Sequence, residues 1–314
     1  MGVELRESKV KGVRKMQLQV LGWRGPTSNS MVFPLTEVKY PVLGVYHDFA
    51  LVCHGSGTVD VFGSENDSYY PWLNHCRDQL KSTKGCDSIH FAESFMIIVC
   101  DDSIIWLVKP YLEKQLLNRG FVVDSVACGM KHCLILGNQQ AFAYGHGEEG
   151  QLGLGTDVLH TDTLVAIPST AVRCVAANAY HSAIVTEPYG DLYTFGSNAY
   201  ARLGIPDTEL TIMYSPVLVE ALGGVGKLLP NGRSTGVRQV DCGLWHTVVI
   251  VDETYDIIGW GWNNFGQLGC TSNGNSEELV EYPRNILDDK LFVRVCCGNR
   301  FTALLTDNNG LHIM

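Results

Sequence analysis

The amino-acid sequence predicts an all-β fold: small four-stranded antiparallel sheets packed face to face around an axis, a single β-propeller. Three observations carry this reading. Gly accounts for 33 of 314 residues while Pro stands at only 11; about 7% Gly is usual, and an excess without Pro signals many tight turns and so many short strands. Charged residues make up 18% and AVILMFWYC residues 46%, which supplies a core and excludes a mostly disordered chain. The chain also repeats itself, with His132, His181 and His246 falling 49 and 65 residues apart in near-identical settings, a spacing of the propeller kind.

Taken in order, residues 1–15 hold Arg6, Lys9, Lys11, Arg14 and Lys15 against Glu4 and Glu7, a balance of +3. The remaining 299 residues therefore carry −13, which with +3 gives the formal −10. This segment is expected to be a flexible, solvated basic tail, with the repeat domain running from 16 to 314. Gln17 to Trp23 matches only the second half of a repeat and is expected to close the ring on the last one. Two weak copies follow. Val45 to Phe49 leads to a strand ending at Cys53 and then Thr58 to Gly63; Phe91 to Phe95 leads to Met96–Cys100 and Ile104 to Leu107.

Three strong copies come next. Each has a half of the form Val126-Ala-Cys128-Gly129-Met-Lys-His132, Val175-Ala-Ala-Asn-Ala-Tyr-His181 or Val240-Asp-Cys242-Gly243-Leu-Trp-His246. An apolar strand follows, then Tyr144-Gly145 through Gly153, Phe195-Gly196 through Gly204, or Trp260-Gly261 through Gly269. A last weak copy starts at Cys297-Gly-Asn-Arg-Phe301. Six units of the Cys-Gly kind are thus counted. Phe replaces His in the three weak copies, which suits a packed slot better than a ligand or a catalytic base. Cys128, Gly129, His132, His181, Cys242, Gly243 and His246 are accordingly read as structural.

These halves resemble the repeats of the regulator of chromosome condensation family, whose signature joins Cys-Gly-x-x-His-[Ser/Thr] to Trp/Tyr-Gly-x-Asn-x-x-Gly-Gln-Leu-Gly. Cys242 to Thr247 and Trp260 to Gly269 match almost letter for letter. The resemblance implies RCC-type four-stranded blades, of which seven are usual in the family. It is closest to the small single-propeller members, among them the partner of a JmjC-domain histone demethylase.

Enzyme and cofactor motifs fail on context. Gly145-His-Gly-Glu-Glu-Gly150 fits a dinucleotide fingerprint, but Gln-Leu-Gly-Leu-Gly follows where a helix is needed. Gly232-Arg-Ser234-Thr-Gly236 fits a nucleophile elbow but follows Pro230-Asn231 and precedes a strand. The Cys-x₃-His pairs supply two ligands per copy, short of a four-ligand zinc site. No catalytic residue, metal or cofactor is expected.

What remains is surface. The loops after the Tyr-Gly strands carry His146, Glu148 and Glu149, then Tyr200 and Arg202, then Trp262, Asn263 and Phe265. Equivalent propeller loops open on one face, so these residues form a candidate partner-binding patch. The resemblance implies a non-enzymatic scaffold in the nucleus, chromosome-associated and also cytoplasmic, that binds a JmjC-type enzyme or another chromatin protein and supports chromosome segregation. Two alternatives stand beside it: guanine-nucleotide exchange on a small Ran-like GTPase, with residues 64–87 or 205–236 as the inserted wedge, and partnership in a tRNA or translation-factor modification complex. The acidic body argues against a strong direct grip on nucleic acid. No apolar run approaches the ~20 residues of a membrane-spanning helix. Eleven Cys without a secretory leader favour reduced thiols.

Overall fold

The computed structural model describes the backbone of residues 2–10, 13–21, 31–34, 42–46, 49–53, 59–62, 70–83, 86–100, 104–110, 112–118, 120–205, 211–269, 278–287, 291–308 and 310–314. Side chains are described for Val59 and for those residues from 71 onward other than Asn118. The chain divides into two compact units, Met1–Gly120 and Phe121–Met314.

The first unit begins with strands β1 (Gly2–Val10), β2 (Val13–Leu21) and β3 (Met31–Pro34), in that sheet order. One sequence expectation changes here. The supposed tail contains β1, paired along its length with β2; Val3 and Leu5 lie opposite Val20 and Leu18, so apolar alternation outweighs the basic residues. The tail's charged side chains lie outside the described residues. β2 pairs on both edges, with β1 and β3; Gly22 and Trp23, of the segment expected to close the ring, lie outside the described residues.

A second sheet contains β4 (Val42–Tyr46), β5 (Phe49–Cys53) and β6 (Val59–Phe62). One helix then interrupts the all-β pattern, α1 (Tyr70–Lys81). Pro71 sits in its first turn, where no intrahelical N–H is lost. Trp72, Leu73, Cys76 and Leu80 recur at helical spacing and are all buried. Trp72, Cys76 and Leu80 pack with Val59, Ile89, Met96 and Ile98. The third sheet is β7 (Cys86–Phe91), β8 (Met96–Cys100), β9 (Ile104–Val108) and β10 (Gln115–Asn118).

The second unit holds three four-stranded meanders. They are β11 (Val123–Cys128), β12 (His132–Gly137), β13 (Gln140–His146) and β14 (His160–Ala166); β15 (Val172–Asn178), β16 (His181–Thr186), β17 (Leu192–Ser197) and β18 (Ile212–Leu218); and β19 (Val237–Cys242), β20 (His246–Val251), β21 (Ile257–Trp262) and β22 (Leu279–Leu287). A three-stranded sheet of β23 (Phe292–Cys297), β24 (Thr302–Thr306) and β25 (Leu311–Ile313) ends it. Among the described residues of the whole chain there are thus seven sheets, four of them four-stranded.

Every residue of β12, β16 and β20 is buried, so these strands read as continuous apolar runs rather than as alternation. The reason is stacking on both faces. Leu134, Leu136 and Ala143 of one sheet meet Val175, Ile184 and Phe195 of the next. Val185 and Ala176 then share a core with Val240, Val248 and Trp260, and these with Phe292, Val295 and Leu304. The third strands bend at Gly145, Gly196 and Gly261, where φ is +105°, +107° and +104° and the register shifts. A Cβ at these positions would strike the carbonyl oxygens of Lys131, Tyr180 and Trp245, which is why the repeat needs Gly there.

Candidate interaction face

Antiparallel topology places the first turn of each sheet and the loop after its third strand at the same end. The repeated motif builds that end from below. Gly129 and Gly243 lie against the rings of His132 and His246, with no room for a Cβ, and each ring crosses to the next sheet. His132 Nε2 lies 2.8 Å from Ser182 Oγ, His181 Nε2 2.9 Å from Thr247 Oγ1, and His246 Nε2 3.0 Å from Thr302 Oγ1. Each hydroxyl already donates its one proton to a carbonyl: Ser182 to Gln151, Thr247 to Arg202 and Thr302 to Gln267. The imidazole must therefore donate from Nε2–H, leaving Nδ1 unprotonated. Burial without a partner at Nδ1 keeps these rings neutral. The pKa is lowered to about 3 for His132 and His246, and well below the ordinary value for His181, with burial as the main cause. They hold sheets together and have no proton to trade near neutral pH. Cys128 and Cys242 sit at the ends of their strands as free thiols.

Above this seam lies a continuous series of aromatic rings. Tyr180 and Trp245 have centroids 6.3 Å apart, Trp245 and Tyr200 5.1 Å, Tyr200 and Trp262 5.7 Å, Trp245 and Trp262 6.2 Å, and Trp262 and Phe265 5.2 Å. Arg300 lies over Phe265 at 4.6 Å. Tyr200 and Phe265 are 50% and 51% exposed; Tyr180, Trp245 and Trp262 are half-buried. Of the residues singled out in the sequence, Tyr200, Trp262 and Phe265 therefore come together at the surface.

Arg202 and Asn263 do not present themselves to a partner. Asn263 is 1% exposed; its Nδ2 donates to Gly269 O and its Oδ1 accepts from Leu268 N, so it closes the turn. Arg202, also 1% exposed, lies over the rings of Trp245 at 4.5 Å and Tyr180 at 5.9 Å, and donates to Ala199 O and Leu244 O. It supports the face from beneath. Burial lowers its pKa to about 10, opposed by Glu149 and the neighbouring tyrosines, so it stays charged at neutral pH.

Arg202 stands where the other copies have Gln151 and Gln267, whose Oε1 atoms accept from Glu149 N and Phe265 N. Ala201 stands in the place of Gly150 and Gly266, whose φ is +78° and +76°, and keeps their left-handed backbone at +55°; Tyr200, beside the missing acceptor, departs from the other copies at +60°. Two consecutive non-Gly residues in the left-handed region cost on the order of 1–2 kcal/mol each, and the turn that accepts this cost displays Tyr200.

His146, Glu148 and Glu149 lie on the neighbouring loop. His146 lies against His160, with tilted rings 4.2 Å apart, outside the aromatic series; Glu148 is exposed and Glu149 half-buried. The sequence reading missed Tyr180, Trp245 and Arg300. All three occupy the position just before the His/Phe slot, where a turn should be polar, and two bulky aromatics there were a readable signal. Among the described residues, no group of three or more His, Cys, Asp or Glu side chains is arranged to hold a metal. Residues 147–150 form a turn closed by Gly150 N to Gly147 O rather than a helix N-terminus, and Ser234 Oγ donates to Gly224 O in a loop. No described helix is long and apolar enough to cross a membrane.

At the opposite end of the same unit, residues 227–235 form a short hairpin with an isolated bridge between Leu228 and Ser234. Arg233 pins it by an ion pair to Asp191 at 2.9 Å and by lying over Tyr189 at 4.4 Å. Leu228 is 70% exposed at its start. Residues 206–210, part of the same expected insertion, lie outside the described residues, and the other expected insertion contains α1.

The family profile of the regulator of chromosome condensation (RCC1) repeat matches residues 189–250 and 256–305. The Ultraviolet-B receptor UVR8 of Arabidopsis thaliana is 29% identical over 62% of this chain and 53% of its own length, so the chain spans about half the length of that relative. The crystal structure of human WBSCR16 superposes with a TM-score of 0.68 at 19% identity, covering 92% of this chain and 82% of that one. Prp20p of Saccharomyces cerevisiae superposes with a TM-score of 0.63 at 15% identity, covering 84% and 69%; its structure was reported together with its binding properties to Gsp1p and histones. The chain has an all-β RCC1-type repeat fold built on four-stranded antiparallel sheets.

Proposed function

We propose that this chain is a non-enzymatic protein-interaction module that binds its partner through the aromatic face. The carrying observation is the half-exposed series Tyr180–Trp245–Tyr200–Trp262–Phe265, stiffened by Arg202 below and Arg300 at its end. Rigid aromatics beside Arg are the side chains that dominate binding energy in protein interfaces. Among partners, a small Ran-like GTPase or a histone has more support than a JmjC-type demethylase, because Prp20p carries binding of Gsp1p and histones. The JmjC reading, like a chromosomal role, rests on the sequence resemblance to small propellers. A nuclear or nucleocytoplasmic setting fits either kind of partner.

Nucleotide exchange is a second reading, favoured by the pinned hairpin at 227–235 with Leu228 exposed. One set of titrations separates these ideas. A Ran-like GTPase, core histones and a JmjC demethylase are each titrated against the chain and against a Trp262→Ala/Phe265→Ala variant, with release of labelled GDP followed in parallel. The variant should weaken binding at least tenfold, about 1.4 kcal/mol. Binding that survives the variant unchanged overturns the face assignment. Accelerated GDP release that is lost in Leu228→Glu would establish exchange; no acceleration rejects it.

A further inference from the structure

Two thiols of the second unit take no part in the aromatic face. Cys128 of β11 and Cys133 of β12 are direct cross-strand partners. Gly129 N donates to His132 O at 2.9 Å, so residues 129 and 132 form the hydrogen-bonded pair that closes the turn. Cys128 and Cys133 are then the adjacent non-hydrogen-bonded pair, with both side chains on one face. Cα atoms in such pairs lie about 4.5 Å apart, inside the roughly 4.4–6.8 Å that a disulfide spans.

The equivalent pairs in later sheets are Cys242–Thr247 and Cys297–Thr302, and there Cys297 Sγ lies 4.0 Å from Thr302 Oγ1. Side-chain heteroatoms thus meet across this slot, and in the β11–β12 turn both of them are sulfur. Cys128 is half-buried and Cys133 fully buried; both are free thiols.

We propose that Cys128 and Cys133 form a reversible cross-strand disulfide, with Cys128 as the entry thiol and Cys133 as the resolving thiol. The oxidant is a low-molecular-weight disulfide such as oxidised glutathione. The Cys128 thiolate attacks one of its sulfurs, forming a mixed disulfide and releasing one glutathione thiolate, which takes up the proton Cys128 lost. Cys133 then gives up its proton and attacks the Cys128 sulfur, expelling the second glutathione, which takes that proton. Two protein thiols are oxidised and one glutathione disulfide is reduced to two thiols.

Burial holds the Cys133 thiol well above its ordinary range, so it is inert toward oxidants in solution and acts only on the mixed disulfide opposite it. The closed ring spans six residues and constrains little of the unfolded chain. Such a bond serves as a reducible switch on the turn that carries Lys131 and His132.

Trypsin cleaves after Lys131, between the two cysteines, giving peptides 120–131 and 132–173 with one Cys each. The full chain is incubated with oxidised glutathione, blocked with N-ethylmaleimide, digested and analysed by mass spectrometry without reduction. The two peptides should appear linked and separate on reduction. Cys133→Ser should trap a glutathione adduct on Cys128, and Cys128→Ser should leave Cys133 as a blocked free thiol. Exposed Cys296 reports that the oxidant reached the protein. The proposal is overturned if Cys296 is modified while both peptides stay reduced, if wild-type Cys128 keeps glutathione without linking, or if Cys133 links to another cysteine.

Discussion

The imidazoles of His132, His181 and His246 are spacers with a single hydrogen bond, and their chemistry follows from what they touch. Each donates from Nε2 to a hydroxyl whose own proton is already given to a carbonyl. Removing the imidazole therefore leaves no hydroxyl proton without an acceptor. His132→Phe should cost about 1 kcal/mol or less, the net worth of one hydrogen bond, since it also removes the partnerless Nδ1. His132→Ala opens a cavity at the seam and should cost roughly 2–5 kcal/mol. Urea unfolding of the two variants checks the ordering, and equal losses would show that the ring's polarity, not its volume, matters. This role was legible in the sequence, because Phe95 and Phe301 stand in the same slot. Arg202 and Asn263 were not: an Arg in a Gln slot and an Asn in a loop look like contact residues until the turn closes over them. Only the folded turn shows that Asn263 bonds to Leu268 and Gly269.

At the scale of elements, the seams between sheets hold the specific polar contacts. Between β19 and β23, half-buried Asp241 accepts from Cys242 N at 3.0 Å and from Cys297 N at 2.6 Å. Burial pushes its pKa up to about 6, while those two donors pull it down. An amide cannot accept from both, because its NH₂ group would face one N–H. Asp241→Asn should therefore destabilise by about 1–3 kcal/mol, the penalty of an unpaired buried donor. Thermal unfolding measures it, and an unchanged midpoint would mean the seam relaxes around the amide. Strands with Gly-punctuated repeats could be read from the sequence almost to their ends, as β20 and β21 show. α1 was not legible although Trp72, Leu73, Cys76 and Leu80 carry a helical spacing, because the segment lies between repeats and has no counterpart in the other copies. β1 was missed because its charges outweigh its two alternating apolar residues when composition alone is read.

In the molecule as a whole, the three histidines form successive ties across the four sheets of the second unit, from β12 to β16, β16 to β20 and β20 to β24. This makes stability depend on pH in a calculable direction. In the unfolded chain these groups titrate near 6.5; in the fold, His132 and His246 titrate near about 3 and His181 well below its ordinary value. Above pH 6.5 the histidines are neutral in both states and the stability is fully present. As pH falls below 6.5 the unfolded chain binds protons that the fold refuses, so stability is lost progressively toward pH 3. Each buried histidine contributes a slope of roughly 1.4 kcal/mol per pH unit in that window. Marginal stabilities of about 5–15 kcal/mol cannot absorb three such slopes for long, so the second unit should unfold cooperatively on mild acidification, even though Asp241, raised to about 6, takes up a proton in the same window and offsets part of the loss. Circular dichroism followed from pH 7.5 to 4 tests this, with a His132→Phe/His181→Phe/His246→Phe variant alongside. The variant should start less stable by one to a few kcal/mol at pH 7.5 and lose less on acidification. Parallel acid profiles for the two proteins would place the sensitivity in the carboxylates and remove the histidine ties from the account.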